Sequence, residues 1–557
     1  MRNHLKRSVR PVLATVVGAA AVASAIAATA TAKTTAHAAA GTTITLLSGV
    51  GPQSLDPSLD YTTQGAEINW EVYTGLDTYA HKSGLPGTQL IPALATSLPK
   101  ISNGGKTYTV TLRKGLKYSN GDPVVASDFT STMERSLSIP WGGASTFLTP
   151  YVVGAAKYAA HKAKTISGIT TNNATGKIVI HLTQPYGPFD NVLAFPMLGF
   201  QDPKTVTVPF KVQATNPPAG VGPFKVTNIT PSVSFDIVPN SYWKPLPGIP
   251  AAKYSFEEKI NSNVEANALS VLNNSADIFD WADTIPGSLL PQIKAKASSR
   301  YRLVDLGGSV YYFFLNQSEA PFNNQLAREA VAAGINEAAL SREGSGTLAP
   351  ACFFLPPGIP GHPHGKCPYD WGQGNLKLAR KLLKESGQAN VPVTVYSELR
   401  SPRLQWCTTY AQDLKLIGFK HVTLKTNADQ TYFTTIGESK KLHPQTGFAD
   451  WNEDFPNPVD FYGVQLEGSS ITPTNNLNFG QVNNAHINSE IAKLGTTPTT
   501  QLGKVAAQWQ ALDKYVAAHV NILPFGYQSF PFFTSSRIKV NYINDIYGWD
   551  LLGISLK

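Results

Sequence analysis

The chain has 557 residues, 46 Lys/Arg against 37 Asp/Glu, and a formal charge of +9. Residues 1–40 hold five of the basic side chains and no acid, so the remaining 41 basic and 37 acidic residues carry about +4, too weak a bias for nucleic-acid binding. Beyond residue 40 the chain is too long for one ordinary hydrophobic core, and two or three domains are expected.

In chain order, the first feature is a targeting segment. Arg2, Lys6, Arg7 and Arg10 precede the apolar run PVLATVVGAAAVASAIAATATA (11–32), and small residues follow in AHAAAG (36–41). This is the pattern of a secretory signal peptide at 1–40, cleaved after Ala38 or Ala40, with an uncleaved anchor as the alternative. No later stretch approaches the apolar length of a membrane span. Short β-branched and aromatic runs bounded by Gly, Pro and Asn predict strands at 42–47, 106–113, 177–182, 224–229, 234–239, 310–316, 393–397 and 421–426. Apolar spacing predicts helices at 65–76, 126–138, 325–335, 375–387 and 408–418. In the fourth, Leu376, Ala379, Leu382 and Leu383 form one stripe and Gly387 is the C-cap. Hairpin turns are expected at NGG (103–105) and NGD (120–122), and Asp128 complements the dipole at the start of its helix. Strands and helices mixed throughout give an α/β fold class. The cysteines are Cys352, Cys367 and Cys407; in an exported protein the near pair, Cys352 and Cys367, is the candidate disulfide, and Cys407 in RLQWCTTYAQDL reads as a buried helical thiol.

Five ordered segments resemble a known family. They are LDPSLDYTTQGAEINWEVYTGL (55–76), the long block from IPALATSLPK to STMERSL (91–137), GVGPFKVTNITPSVSFDIVPNSYW (220–243), YYFFLNQSEAPFNNQLAREAVAAGIN (311–336) and DWNEDFPNPVDF (450–461). Together they are similar to the family 5 extracellular solute-binding proteins of ABC importers, which include dipeptide- and oligopeptide-binding proteins. The resemblance implies a two-lobed periplasmic-binding-protein-like fold of cluster C type, with an extra domain inserted in the N-terminal lobe and two crossing hinge strands, near 303–316 and 519–530. The implied boundaries are 41–85, 205–305 and 525–557 for the first lobe, 86–204 for the inserted domain and 306–524 for the second lobe. The implied function is capture of a peptide by closure of the lobes and delivery to membrane permease subunits, by a monomer acting outside the cytoplasmic membrane. Lipid tethering is not expected, because the first cysteine is Cys352. The two-cysteine loop ACFFLPPGIPGHPHGKC (351–367) also resembles loops in actinobacterial members.

In peptide-binding members, the acid of W-x-x-D-x-x-x-P holds the ligand's α-amino group. Here it is Asp454, whose carboxylate in a closed cleft would make a charge-assisted bond to an ammonium. Trp451 would supply a flat apolar wall. Asp450 stands where the family often has Gly. Arg400 and Arg403 lie where relatives carry a carboxylate-binding Arg, and Tyr312, Asn316 and Tyr527 are candidates for bonding ligand backbone from the crossing strands. No metal and no cofactor is expected: His362, His364 and Cys367 lack a fourth ligand and zinc spacing, and a stapled Ω-type loop explains them more simply. Catalysis is disfavoured because the chain has no G-x-S-x-G, H-E-x-x-H or Walker A sequence, and the neighbours Glu453 and Asp454 are not spaced as a glycosidase pair. Other readings on the same fold are an oligosaccharide, nickel-complex or opine binder, or a sensor.

Overall fold

In the computed structural model, which describes residues 43–138, 144–369 and 372–557, each predicted strand run forms a strand and each predicted helical patch a helix. The signal-peptide reading at 1–40 lies outside the described residues. Helix Leu376–Ser386 shows how local chemistry sets the ends: the Asn375 side chain accepts from the Leu378 N–H at 3.1 Å, and Gly387 closes the helix at φ +70°. The NGG turn likewise takes positive φ at Asn103, Gly104 and Gly105 between strands Lys100–Ser102 and Thr107–Thr111.

The main sheet has 11 strands and is mixed. Two long strands, Tyr301–Leu315 and Leu523–Thr534, lie antiparallel at its middle. On one side Leu523–Thr534 pairs with Ile278–Phe279, and beyond it lie Thr43–Ser48, Ser255–Ile260, Ser234–Pro239 and Phe224–Thr230. On the other, Tyr301–Leu315 pairs with Thr446–Asn452, followed by the parallel strands Val393–Glu398 and Val422–Asn427. The two long strands therefore belong to both halves of the sheet. Their ladder breaks between Asp305 and Val310, where Gly307 takes φ +81° and its carbonyl accepts from the Gly358 N–H at 2.7 Å. Before this break Tyr301–Leu315 is partly exposed; after it the strand is buried.

A separate four-stranded antiparallel sheet contains Lys100–Ser102, Thr107–Thr111, Lys177–His181 and Ile169–Asn172, and helix Ser127–Ser138 packs near it. Asp128, in the first turn of that helix, accepts from the Val125 N–H at 2.9 Å and from the Tyr118 hydroxyl at 3.0 Å. The chain ends in the hairpin Ile538–Asn544 and Gly548–Leu556.

Cys352 and Cys367 form a disulfide, and Cys407 is buried on helix Arg403–Ile417, its thiol pushed up to about 12 by burial. The disulfide loop is anchored by Asp513, which accepts from the Phe354 and Leu355 N–H groups at 3.0 Å each. Because the crosslink closes a loop of sequence separation 15, replacing both cysteines by serine should cost about 3 kcal/mol through loop entropy restored to the unfolded chain. A melting temperature unchanged by the double substitution, or by reductant, would show that Asp513 holds the loop without help.

Candidate functional site

A cavity of about 210 Å³ opens where the parallel strand Val393–Glu398 and the strand Thr446–Asn452 end. Carboxyl ends of strands are where open α/β sheets place ligands, because the loops diverge there. One wall comes from residues before 283 and after 529, including Gln53, Tyr61 and Tyr547; the other comes from residues 311–479, including Tyr311, Phe433 and Trp451. Polar contacts link the two sides of the cavity. The Tyr61 hydroxyl donates to Asp454 Oδ2 at 2.5 Å, Asn452 Nδ2 donates to Thr63 Oγ1 at 3.1 Å, and Arg400 Nη1 donates to Asp283 Oδ1 at 3.3 Å.

The loop carrying Asp454 is shaped by the helix that follows it. Asn457 caps helix Pro458–Gln465, accepting from the Val459 N–H at 3.0 Å, and Asp460 sits in its first turn. Asp460 Oδ2 accepts from the Asp454 N–H at 2.8 Å and from the Trp451 indole at 3.3 Å, so one buried carboxyl orders both residues. The Tyr61 ring packs edge-on against Trp451 and Phe195, each at 5.8 Å between centroids. Burial pushes the Asp454 carboxyl up to about 7, against the lowering effect of its hydrogen bonds with Tyr61 and Asp460. Asp460 is fully buried and its carboxyl is pushed well above the usual carboxylate range, first by burial and then by the charge of Asp454. Glu453 is raised to about 8 by burial, then by Asp545 and Asp454, and its Oε2 is buried without a hydrogen-bond partner. Its backbone N–H donates to the Gly308 carbonyl at 2.8 Å, and its side chain lies over Gly308 where a β-carbon would stand.

Arg400 and Arg403 line the same cavity, already paired with acids. Arg403 donates from Nη1 to Glu398 at 2.8 Å and from Nη2 to Asp450 at 2.6 Å, and its guanidinium lies 4.6 Å from the Phe448 ring centroid. Arg400 faces Asp283 and Glu398, the latter at 3.5 Å. Asp450, where glycine was the expected family residue, thus supplies half of the counter-charge to Arg403.

Three candidates from the crossing strands lie off the cavity. The Tyr312 hydroxyl donates to Gln465, Asn316 Nδ2 to the Pro444 carbonyl at 2.7 Å, and the Tyr527 hydroxyl to the Phe353 carbonyl at 3.0 Å. Strand alternation turns Tyr311 to the cavity and Tyr312 away from it. Tyr61, Asp460 and Tyr547 were missed; Tyr61 stood inside the quoted LDPSLDY segment, and only its partner 393 positions away reveals its place. In the 351–367 loop, Cys367 is oxidised and His362 Nδ1 lies 2.7 Å from the Leu355 carbonyl oxygen, which leaves no His–His–Cys metal set there. No helix among the described residues is long and apolar enough to cross a membrane.

Comparison with known proteins bears on the family and the fold. The model of the bacterial extracellular solute-binding proteins, family 5 (middle part), matches residues 89–472. The oligopeptide-binding protein OppA of Bacillus subtilis (strain 168) is 25% identical over 440 residues, which cover 75% of this chain and 76% of OppA. Among solved structures, the clavulanic acid biosynthesis oligopeptide binding protein 2 superposes with a TM-score of 0.79 at 21% identity, covering 92% of this chain and 95% of its own. The periplasmic binding protein DppA from Helicobacter pylori, solved with the peptide STSA, gives a TM-score of 0.77 at 19% identity, over 92% of this chain and 98% of its own. At these identities the structural likeness establishes the mixed α/β fold.

Proposed function

The chain belongs to the bacterial extracellular solute-binding proteins of family 5, a non-enzymatic family, and from that premise we propose that its cavity captures peptides and presents them to the permease of an ABC importer. The observation that carries the peptide reading is Asp454, a carboxyl at the cavity wall beside Trp451, in a loop ordered by Asp460. Relatives and structural neighbours named for oligopeptides or solved with a peptide support it.

The charges refine the ligand. The two lining arginines are matched by Glu398, Asp450 and Asp283, whereas among the described residues Asp454 has no basic hydrogen-bond partner. A peptide's ammonium end is therefore the group this cavity complements best, and its carboxylate competes with acids already seated on Arg400 and Arg403. The two long strands shared by both halves of the sheet support a reading in which 41–85, 205–305 and 525–557 form one lobe, 306–524 the other, and 86–204 an insertion. The lobes then close over the ligand, and the contacts across the cavity act as latches. Export through the N-terminal segment places this cycle outside the cytoplasmic membrane.

A thermal-shift screen tests the assignment. Free di- to pentapeptides should raise the melting temperature, a ligand at 100-fold excess over its Kd adding about 2.7 kcal/mol, while N-acetylated peptides should act weakly. Shifts with oligosaccharides or nickel alone would keep the fold and overturn peptide capture.

A further inference from the structure

Away from the cavity, we propose that Glu71, His81 and Asp550 form a buried binding site for a divalent cation, with zinc as the best match to its ligand set. Ligand atoms of the three residues lie within 4.8 Å of one another. Glu71 lies on helix Thr63–Val72, His81 just beyond strand Asp77–Tyr79, and Asp550 on the C-terminal strand Gly548–Leu556. The site thus joins segments separated by more than 460 residues.

The second observation is a pair of orphaned oxygens. Glu71 and Asp550 are both 0% exposed, and Glu71 Oε2 and Asp550 Oδ2 are buried with no hydrogen-bond partner among the described residues. A buried carboxylate oxygen left unpaired is costly, and two beside one another more so, because their charges repel in a medium that screens poorly. Their other oxygens are occupied: Glu71 Oε1 accepts from the Leu551 N–H at 2.9 Å, and Asp550 Oδ1 from the Leu552 and Gly553 N–H groups at 3.1 and 3.2 Å. These backbone bonds orient each carboxylate, as outer-shell partners do at metal sites. His81 Nδ1 sits 3.1 Å from Asp550 Oδ1, and its imidazole is stacked on Trp70 at 4.1 Å with an interplanar angle of 10°. A fixed imidazole with two carboxylates is a donor set for zinc and neighbouring divalent ions, and a dication offsets the excess negative charge.

Occupancy would pin the C-terminal hairpin to the helix whose first residues line the cavity, with Tyr547 packed on Trp70 between them. This inference does not rest on the peptide reading. The test is zinc titration of the untagged, chelator-treated full chain, read by calorimetry and melting temperature, with cobalt substitution followed by visible absorption. We expect one zinc ion per chain, a raised melting temperature, and cobalt bands that zinc abolishes. Glu71→Gln and His81→Asn should lose all three, and His364→Ala should keep them. Absence of zinc binding, retention of binding in Glu71→Gln, or its loss in His364→Ala would overturn the site. Should the buried-site variants fail to fold, the wild-type cobalt spectrum still decides, since a chain without zinc-displaceable bands lacks the site.

Discussion

Asp454→Asn should weaken binding of peptides with a free amino terminus by about 30-fold or more. That corresponds to the lower end of the roughly 2–5 kcal/mol lost when one partner of a buried charged hydrogen bond is neutralised. N-acetylated peptides, already weak, should change little. The pH dependence follows from the same carboxyl. Burial holds it at about 7 in the empty protein, well above its ordinary 3.8, and a bound ammonium would draw it back down. Between those two values, binding releases a proton. Affinity should therefore fall by up to tenfold per pH unit as pH drops below about 7 and level off above it, with Asp454→Asn flattening the profile. The sign for the empty protein is opposite. A carboxyl raised on folding contributes stability that is complete below about pH 4 and is lost as pH rises through 7. Calorimetry between pH 5 and 8 checks both, and a flat wild-type affinity profile would remove Asp454 from the ligand's ammonium.

Arg135→Ala should destabilise the protein by about 3–5 kcal/mol, the cost of leaving a buried acid without its counter-ion. Asp56 is 0% exposed and lies 2.7 Å from Arg135 Nη2; it also accepts from the Gln213 N–H at 2.8 Å and the Ser58 N–H at 3.2 Å. Arg135 further donates to the carbonyls of Pro209 and, at 2.7 Å, Lys211. This pair joins the LDP segment to helix Ser127–Ser138, two of the segments that carry the family resemblance. Neutralising both partners, as in Asp56→Asn with Arg135→Met, should cost less than Arg135→Ala alone, because no unpaired charge remains. Urea unfolding of both variants beside the parent protein compares the two costs. A loss below about 1 kcal/mol for Arg135→Ala would mean that water reaches Asp56.

Local chemistry was legible where it acts over a few residues. Alternating β-branched runs became strands, Asn375 and Gly387 bound the helix between them, and the spacing of Trp451 and Asp454 placed both at one cavity wall. The near cysteines paired as read. Period-two alternation states that Tyr311 and Tyr312 point to opposite faces, but which face meets the cavity depends on the strands paired at either side. The charge state of the site was hidden for a related reason. Arg400 and Arg403 read as cations for a ligand, and the acids that occupy them include Asp283, 117 residues from Arg400. Tyr61 against Asp454, Asp56 against Arg135, and Glu71 with His81 and Asp550 are likewise meetings across the chain. The sequence by itself determined the elements, the family and the residue types available for binding, because propensity, capping and motif spacing are short-range. Only the tertiary structure decided which side chains share a cavity and which charges are already matched, because burial and Coulomb pairing depend on distance in space.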